Sequence, residues 1–189
     1  MTESRSEALI ALGANLPSGA GVPAETLVAA IVAMPAEGLE IRAVSRFFAT
    51  PCFPAGAGPD YVNAAVTIRT ALRADQILAA LHRIEQRFGR QRQERWGMRT
   101  LDLDLLAVGG LVAPDCDIQS RWRNLAPERQ RSLAPEQLIL PHPRLQDRGF
   151  VLMPLADIAP HWVHPLLGRP VSALLAALPA AELAEIRPI

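Results

Sequence analysis

Arg95 to Leu106 reads R-W-G-M-R-T-L-D-L-D-L-L, and the fold is decided by how its second half is read. Side chains alternate across a strand, so Asp102 and Asp104 share one face while Leu101, Leu103 and Leu105 share the other. One face is core; the other is a pair of carboxylates. Two carboxylates one strand period apart repel each other unless a cation sits between them, and Mg²⁺ carrying a polyphosphate is the natural candidate. Arg95 and Arg99 arrive just before, with guanidinium forks suited to phosphate oxygens. Taken alone, D-x-D in an apolar run more often describes a solvated strand face. The rest of the chain decides between these readings.

Upstream, residues 8–14, A-L-I-A-L-G-A, form a short buried strand ending at Gly13 and followed by Asn15. Pro23 opens an amphipathic helix to Met34, with Leu27, Val28, Ile31 and Val32 at helical spacing. Residues 39–50 alternate as a second strand. The Pro- and Gly-rich stretch 51–60 cannot continue it and is expected to be a mobile loop, suited to a lid. Tyr61 to Thr70 is a third strand, with Val62, Ala64, Val66 and Ile68 on one face and Tyr61, Asn63, Ala65 and Thr67 on the other. Ala74 to Phe88 is a second helix, with Ile77, Leu81 and Ile84 inward and Gly89 just beyond its end. Gly89 to Met98 reads as a second flexible loop leading into the D-x-D strand.

The order β-α-β-β-α-β predicts an α+β fold, a ferredoxin-like sandwich with a mostly antiparallel sheet, helices on one face and extra helices at the C-terminal end. One domain over 1–189 is expected, interrupted by a long loop or insertion at about 113–137 holding one helical turn. Leu138 to Pro141 reads as a short strand, a helix follows from about Asp147 with Val151, Leu152 and Leu155 inward, and a last amphipathic piece covers Val171 to Leu178.

All 19 basic residues are Arg, balanced by 19 acidic ones. Without Lys there is no Walker-type phosphate loop and no Schiff-base chemistry, so phosphate must be held by Arg, His, backbone or metal. Zero net charge argues against nucleic acid as the main partner. Cys52 and Cys116 have no Cys or His at zinc spacing and read as incidental thiols. No apolar run is long enough to span a bilayer. The opening M-T-E-S-R-S-E lacks the apolar region of a secretory signal, so a cytoplasmic location is expected.

The D-x-D strand, the arginine loop before it, Tyr61 and Asn63, and H-x-R-x-x-x-R at His142, Arg144 and Arg148 together resemble the 6-hydroxymethyl-7,8-dihydropterin pyrophosphokinases of folate synthesis. The resemblance runs through A-L-G-A-N-L, T-P, D-Y-V-N-A-A-V, R-I-E, R-W-G-M-R-T-L-D-L-D-L-L and L-P-H-P-R-L-Q-D-R-G-F-V-L-M-P-L. It implies Mg-dependent transfer of diphosphate from ATP to the pterin hydroxymethyl group, giving AMP and the pterin diphosphate. Carried over by position, Asp102 and Asp104 would hold two Mg²⁺ ions, and with Arg90 and Arg99 form the catalytic set. Arg90, Arg92, Arg99, His142, Arg148 and Glu85 would bind ATP. Thr50, Pro51, Phe53, Tyr61, Asn63, Trp96 and Phe150 would bind the pterin. Met98, Ala14 and Pro143 depart from frequent family residues without removing a charged group. The partners are then the two small substrates, with no nucleic acid and no membrane. A monomer is expected, association with a neighbouring folate-pathway enzyme being the alternative.

Two other functions fit parts of the pattern. An RNA-binding ferredoxin-like module would stack bases on Tyr61 and Phe48, but it gives no reason for two carboxylates beside its phosphate contacts. A two-metal nucleotidyltransferase also suits D-x-D, and would release diphosphate instead of AMP.

Overall fold

The computed structural model describes residues 5–52, 58–89, 99–126, 129 and 133–189. Its centre is β1 (Ser6–Ala14), which pairs along its whole length with β4 (Tyr61–Thr70) and on its other side with β5 (Asp102–Val108). The residues predicted to form one strand over 39–50 form two, β2 (Glu40–Val44) and β3 (Phe48–Thr50), both paired with β4. They separate where the Ser45 hydroxyl accepts the Ala65 N–H at 2.9 Å and donates to the Arg46 carbonyl at 2.7 Å. A short β6 (Arg187–Pro188) lines the outer edge of β3. The order is β5-β1-β4-β3-β6, with β2 also on β4, and every pairing is antiparallel.

Both faces of the sheet are covered, which corrects the expectation of helices on one face. Ile10, Leu12, Val66, Ile68, Leu103 and Leu105 pack with α1 (Pro23–Ala33) and α2 (Ala74–Arg87). On the other face Leu9, Ala65, Leu106 and Ala107 pack beneath Val151, Leu152 and Leu155 of the helix Gly149–Ile158 and Val171 and Leu174 of Val171–Leu175. The signal was in the sequence: β1 is apolar almost without alternation, and a strand apolar on both faces has to be buried on both. At up to about 25 cal/mol per Å² of apolar surface, neither face could be left in water without a large loss of stability.

α1 keeps its Pro23 start but turns differently from expectation. Thr26, Leu27 and Ala30 are buried, whereas Val28 and Val32 are 51% and 73% exposed. α2 follows the prediction and stops at Phe88, with Gly89 at φ +79°, a conformation that suits glycine. The stretch predicted to hold one helical turn contains α3 (Cys116–Arg123), started by Asp115, whose carboxylate accepts the Ile118 N–H at 2.8 Å. Residues 138–141 are not a strand; Leu140 makes an isolated bridge with Ala113. The next helix begins two residues later than predicted, after a 3₁₀ turn at Leu145–Asp147, and spans Gly149–Ile158 as α4, followed by α5 (Val171–Leu175) and α6 (Ala180–Ala184).

Candidate active site

Strand alternation brings the site together at one end of the sheet. In β5, Leu103 and Leu105 enter the core while Asp102 and Asp104 stay partly open, their side chains 21% and 37% exposed. Gly13 of β1 is opposite Asp102 on one side and opposite Asn63 of β4 on the other. A Cβ at position 13 would stand 2.9 Å from Asn63 Oδ1, so glycine is what leaves the floor between carboxylate and amide open. Asn63 Nδ2 donates to Thr50 Oγ1 at 2.7 Å, and both residues are buried. That bond fixes the amide's orientation. Thr50 is opposite Tyr61, and burial raises the Tyr61 phenol above its ordinary pKa, with Arg99 opposing the shift.

Cations gather around the two aspartates. Arg99 forms an ion pair with Asp102. Arg148 Nη1 lies 4.0 Å from Asp104 Oδ2, and its guanidinium carbon is 5.6 Å from the centre of the Phe150 ring. Burial, the largest cause, pulls the Arg148 pKa below its usual value, with Arg144 and Arg99 adding like-charge repulsion. Arg144, which was not assigned a role from sequence, therefore belongs to this positive cluster. The signal for it is its place as the middle member of H-x-R-x-x-x-R.

His142 is held in one tautomer. Its Nδ1 accepts the Arg144 N–H at 3.2 Å, so in the neutral ring Nε2 carries the proton. Burial, followed by the Arg148 charge, pushes its pKa down to about 3, so the imidazole is neutral near pH 7. Such a ring donates a hydrogen bond from Nε2 but has no lone pair left to act as a base.

Two buried residues support the site from below. Glu85, expected at the nucleotide, is 1% exposed, and its carboxylate accepts the Leu103 N–H at 2.8 Å, between the two aspartates. Asn15 was not singled out from sequence. Its Oδ1 accepts the Arg99 N–H at 2.8 Å, its Nδ2 donates to the Pro59 carbonyl at 3.2 Å, and its own N–H donates to the Arg99 carbonyl at 3.0 Å. One side chain thus ties together the ends of the two segments before β4 and β5. A short polar residue just after a buried strand was the available signal. Pro51 follows Thr50 at the end of β3, and Phe150 is partly exposed beside Arg148. Phe53, Arg90, Arg92, Arg95, Trp96 and Met98 lie outside the described residues, as do half of the first predicted loop (53–57) and all of the second but Gly89.

Asp102 and Asp104 offer hard oxygen donors, and among the described residues no group of three or more His, Cys, Asp or Glu side chains is placed to hold a metal ion. That set suits Mg²⁺, which is commonly bound through one or two carboxylates while phosphate and water complete its shell. It does not suit a closed structural zinc site.

Residues 9–160 match the family profile described as 7,8-dihydro-6-hydroxymethylpterin-pyrophosphokinase (HPPK). A Synechocystis sp. protein named 2-amino-4-hydroxy-6-hydroxymethyldihydropteridine pyrophosphokinase is 37% identical over 169 residues, covering 89% of this chain and 74% of the relative. One of the same name from Methylorubrum extorquens is 34% identical over 171 residues, covering 90% of this chain and 92% of the relative. The fold is similar to a Plasmodium falciparum HPPK-DHPS structure, with a TM-score of 0.65 at 13% identity; the match covers 92% of this chain and 44% of that longer one. By the extent of the family match and these identities over most of both sequences, the chain belongs to the HPPK family.

Proposed function

We propose that this chain transfers the terminal diphosphate of ATP to the hydroxymethyl group of 6-hydroxymethyl-7,8-dihydropterin, forming the pterin diphosphate of tetrahydrofolate synthesis and releasing AMP. The observation that carries this reading is the convergence of Arg99, Arg148 and neutral His142 on two half-open carboxylates, with Arg144 close to His142 and Arg148 and paired to Asp147, beside a buried amide and a tyrosine. A polyphosphate fits the first group and a flat heterocycle with an amide edge fits the second.

The hydroxymethyl oxygen attacks the β-phosphorus, and the bond from that phosphorus to the oxygen bridging to the α-phosphorus breaks. Asp102 and Asp104 are the residues that would hold Mg²⁺, two ions in this reading, and bound Mg²⁺ neutralises phosphate charge. Arg99, Arg144 and Arg148 bind phosphate oxygens and offset charge spreading over them. His142 donates from Nε2 to a phosphate oxygen and does not take the hydroxyl proton. Proton loss can follow bond making in a loose transition state. Asn63, with Thr50 behind it, pairs with the pterin edge, while Tyr61 and Phe150 flank the ring.

The strand order and the all-antiparallel pairing support a ferredoxin-like βαββαβ sandwich within one catalytic domain. We read the chain as a cytoplasmic monomer acting on small molecules; no described helix is long and apolar enough to cross a membrane. The fused HPPK-DHPS proteins among its structural neighbours support, as the alternative, association with another folate enzyme.

The test is incubation with ATP, Mg²⁺ and 6-hydroxymethyl-7,8-dihydropterin while nucleotide products are followed with and without the pterin. Pterin-dependent AMP without free diphosphate is expected. Free diphosphate would point to nucleotidyl transfer, and folded protein that binds ATP but forms no AMP would overturn the proposal.

A further inference from the structure

The sequence assigns no role to the stretch at about 113–137, and the structure ties its described part to the phosphate site. Ala113 and Leu140 exchange both backbone hydrogen bonds, at 2.9 and 3.0 Å, closing the stretch at its base. α3 then places Gln119 in the interior at 0% exposure, where its Nε2 donates to the Pro141 carbonyl at 3.0 Å. The N–H of that same peptide group belongs to His142 and donates to the Leu106 carbonyl of β5 at 2.8 Å. The peptide joining Pro141 to His142 is therefore held at both ends, by α3 on its oxygen and by the sheet on its nitrogen. The ring beyond it is set by the Arg144 N–H on Nδ1. A buried primary amide costs stability unless its hydrogen bonds are made, and Gln119 meets that with Nε2 donating to Pro141 and Oε1 accepting from Arg123 Nη1 at 3.4 Å, bonds a hydrophobic residue could not make.

We propose that Gln119 is a positioning residue of the phosphate site and that α3 is the brace that aims the His142 imidazole at ATP. The inference rests on the reading of His142 as an ATP contact. Without the amide donor the 141–142 peptide keeps only its sheet anchor and can rotate about it. The ring then samples positions from which Nε2 misses the phosphate oxygen. Substrate contacts made by Asn63 and Thr50 are not attached to this peptide and are unaffected.

The experiment compares wild type, Gln119→Leu, His142→Ala and the double variant. Binding of the Mg²⁺ complex of an ATP analogue with methylene between its α- and β-phosphorus atoms is measured by calorimetry, alongside KM for ATP and for the pterin. Gln119→Leu is expected to weaken the analogue by roughly tenfold, the lower end of the changes seen when supporting residues are removed. The pterin KM should stay the same, and the effect should disappear in the His142→Ala background, which is the signature of coupling. An equal loss in both backgrounds, or a parallel loss of pterin affinity, would make Gln119 a merely structural contact and overturn the proposal. So would wild-type affinity in Gln119→Leu. Unchanged analogue binding in His142→Ala alone would instead remove the reading of His142 on which the inference rests. Gln119→Met, unbranched and closer in shape, is the second variant if the leucine variant does not fold, with the same outcomes.

Discussion

Replacing Glu85 with alanine separates two readings of that residue. As a nucleotide contact, Glu85 would contribute to ATP binding and little to folding. As a support, its carboxylate lies under the outer edge of β5, where it accepts the Leu103 N–H at 2.8 Å. Alanine would leave that buried N–H without this acceptor and open space between α2 and β5. A hydrogen bond to a charged group contributes about 1.5–3 kcal/mol, and an unsatisfied buried donor costs a similar amount, so a loss of about 3 kcal/mol is expected. For a chain of 189 residues that lowers the melting midpoint by roughly 6–12 °C. Because Leu103 lies between Asp102 and Asp104, turnover should fall as well, through loss of strand alignment. Glu85→Gln keeps an acceptor at the same place and should recover most of the stability. Urea unfolding followed by circular dichroism, with ATP-analogue binding measured alongside, reads both effects. An alanine variant with an unchanged unfolding midpoint and weakened nucleotide binding would refute the supporting role and restore the contact.

Gly13→Ala is expected to raise the KM for the pterin by about tenfold, a loss near 1.4 kcal/mol, while leaving the KM for ATP close to wild type. The added Cβ would meet Asn63 Oδ1 at 2.9 Å, and an unchanged pterin KM would show that the Asn63 amide does not read the substrate. Asp104→Asn should lower AMP formation by about a hundredfold or more, as expected for loss of a charge acting at the reaction centre. Its unfolding midpoint should change little, because the carboxylate is partly solvated; retained activity would remove the metal role. His164 is buried, and burial, the largest cause, pushes its pKa down to about 4. Its contribution is then fully present above about pH 6.5, the ordinary histidine value, and is lost as pH falls from there through 4. Between pH 7 and 5 the wild type should lose about 1–2 kcal/mol more stability than His164→Gln, measured by urea unfolding at both values; parallel losses would reject the assignment.

What the sequence made legible was whatever a single element encodes by its own period. The D-x-D face, the opposed leucines, the β4 alternation and the α2 stripe each follow from one strand or helix repeat. What it hid were contacts between elements. Val28 and Val32 fit a helical stripe as well as Leu27 and Ala30 do, and only which face of α1 is laid on the sheet leaves them outside. Glu85 looks like any acidic residue on a helix until α2 is laid against the edge of β5. Asn15 gains meaning only when residues 59 and 99 are brought to it. α3 was hidden for a different reason, since an eight-residue helix rich in charge has too few apolar positions to show a period.

The same distinction explains where the alternation of β5 fails. Ile10 is opposite Leu105 and Leu9 is opposite Ala107, which leaves Leu106 as an extra residue in a β-bulge. On the site side of the bulge the period of two holds, and a slip of one residue would drive Asp102 and Asp104 into the core and expose Leu103 and Leu105. The hydrophobic face therefore locks the register that the carboxylates need. At the bulge, Leu106 and Ala107 both enter the core beneath α4. The Leu106 carbonyl accepts the His142 N–H. A regular strand of the same residues would turn Ala107 toward the opposite face and change the direction of that carbonyl. One inserted residue thus closes the second core and anchors the histidine, so burial of the α4 face and placement of the phosphate site depend on the same irregularity.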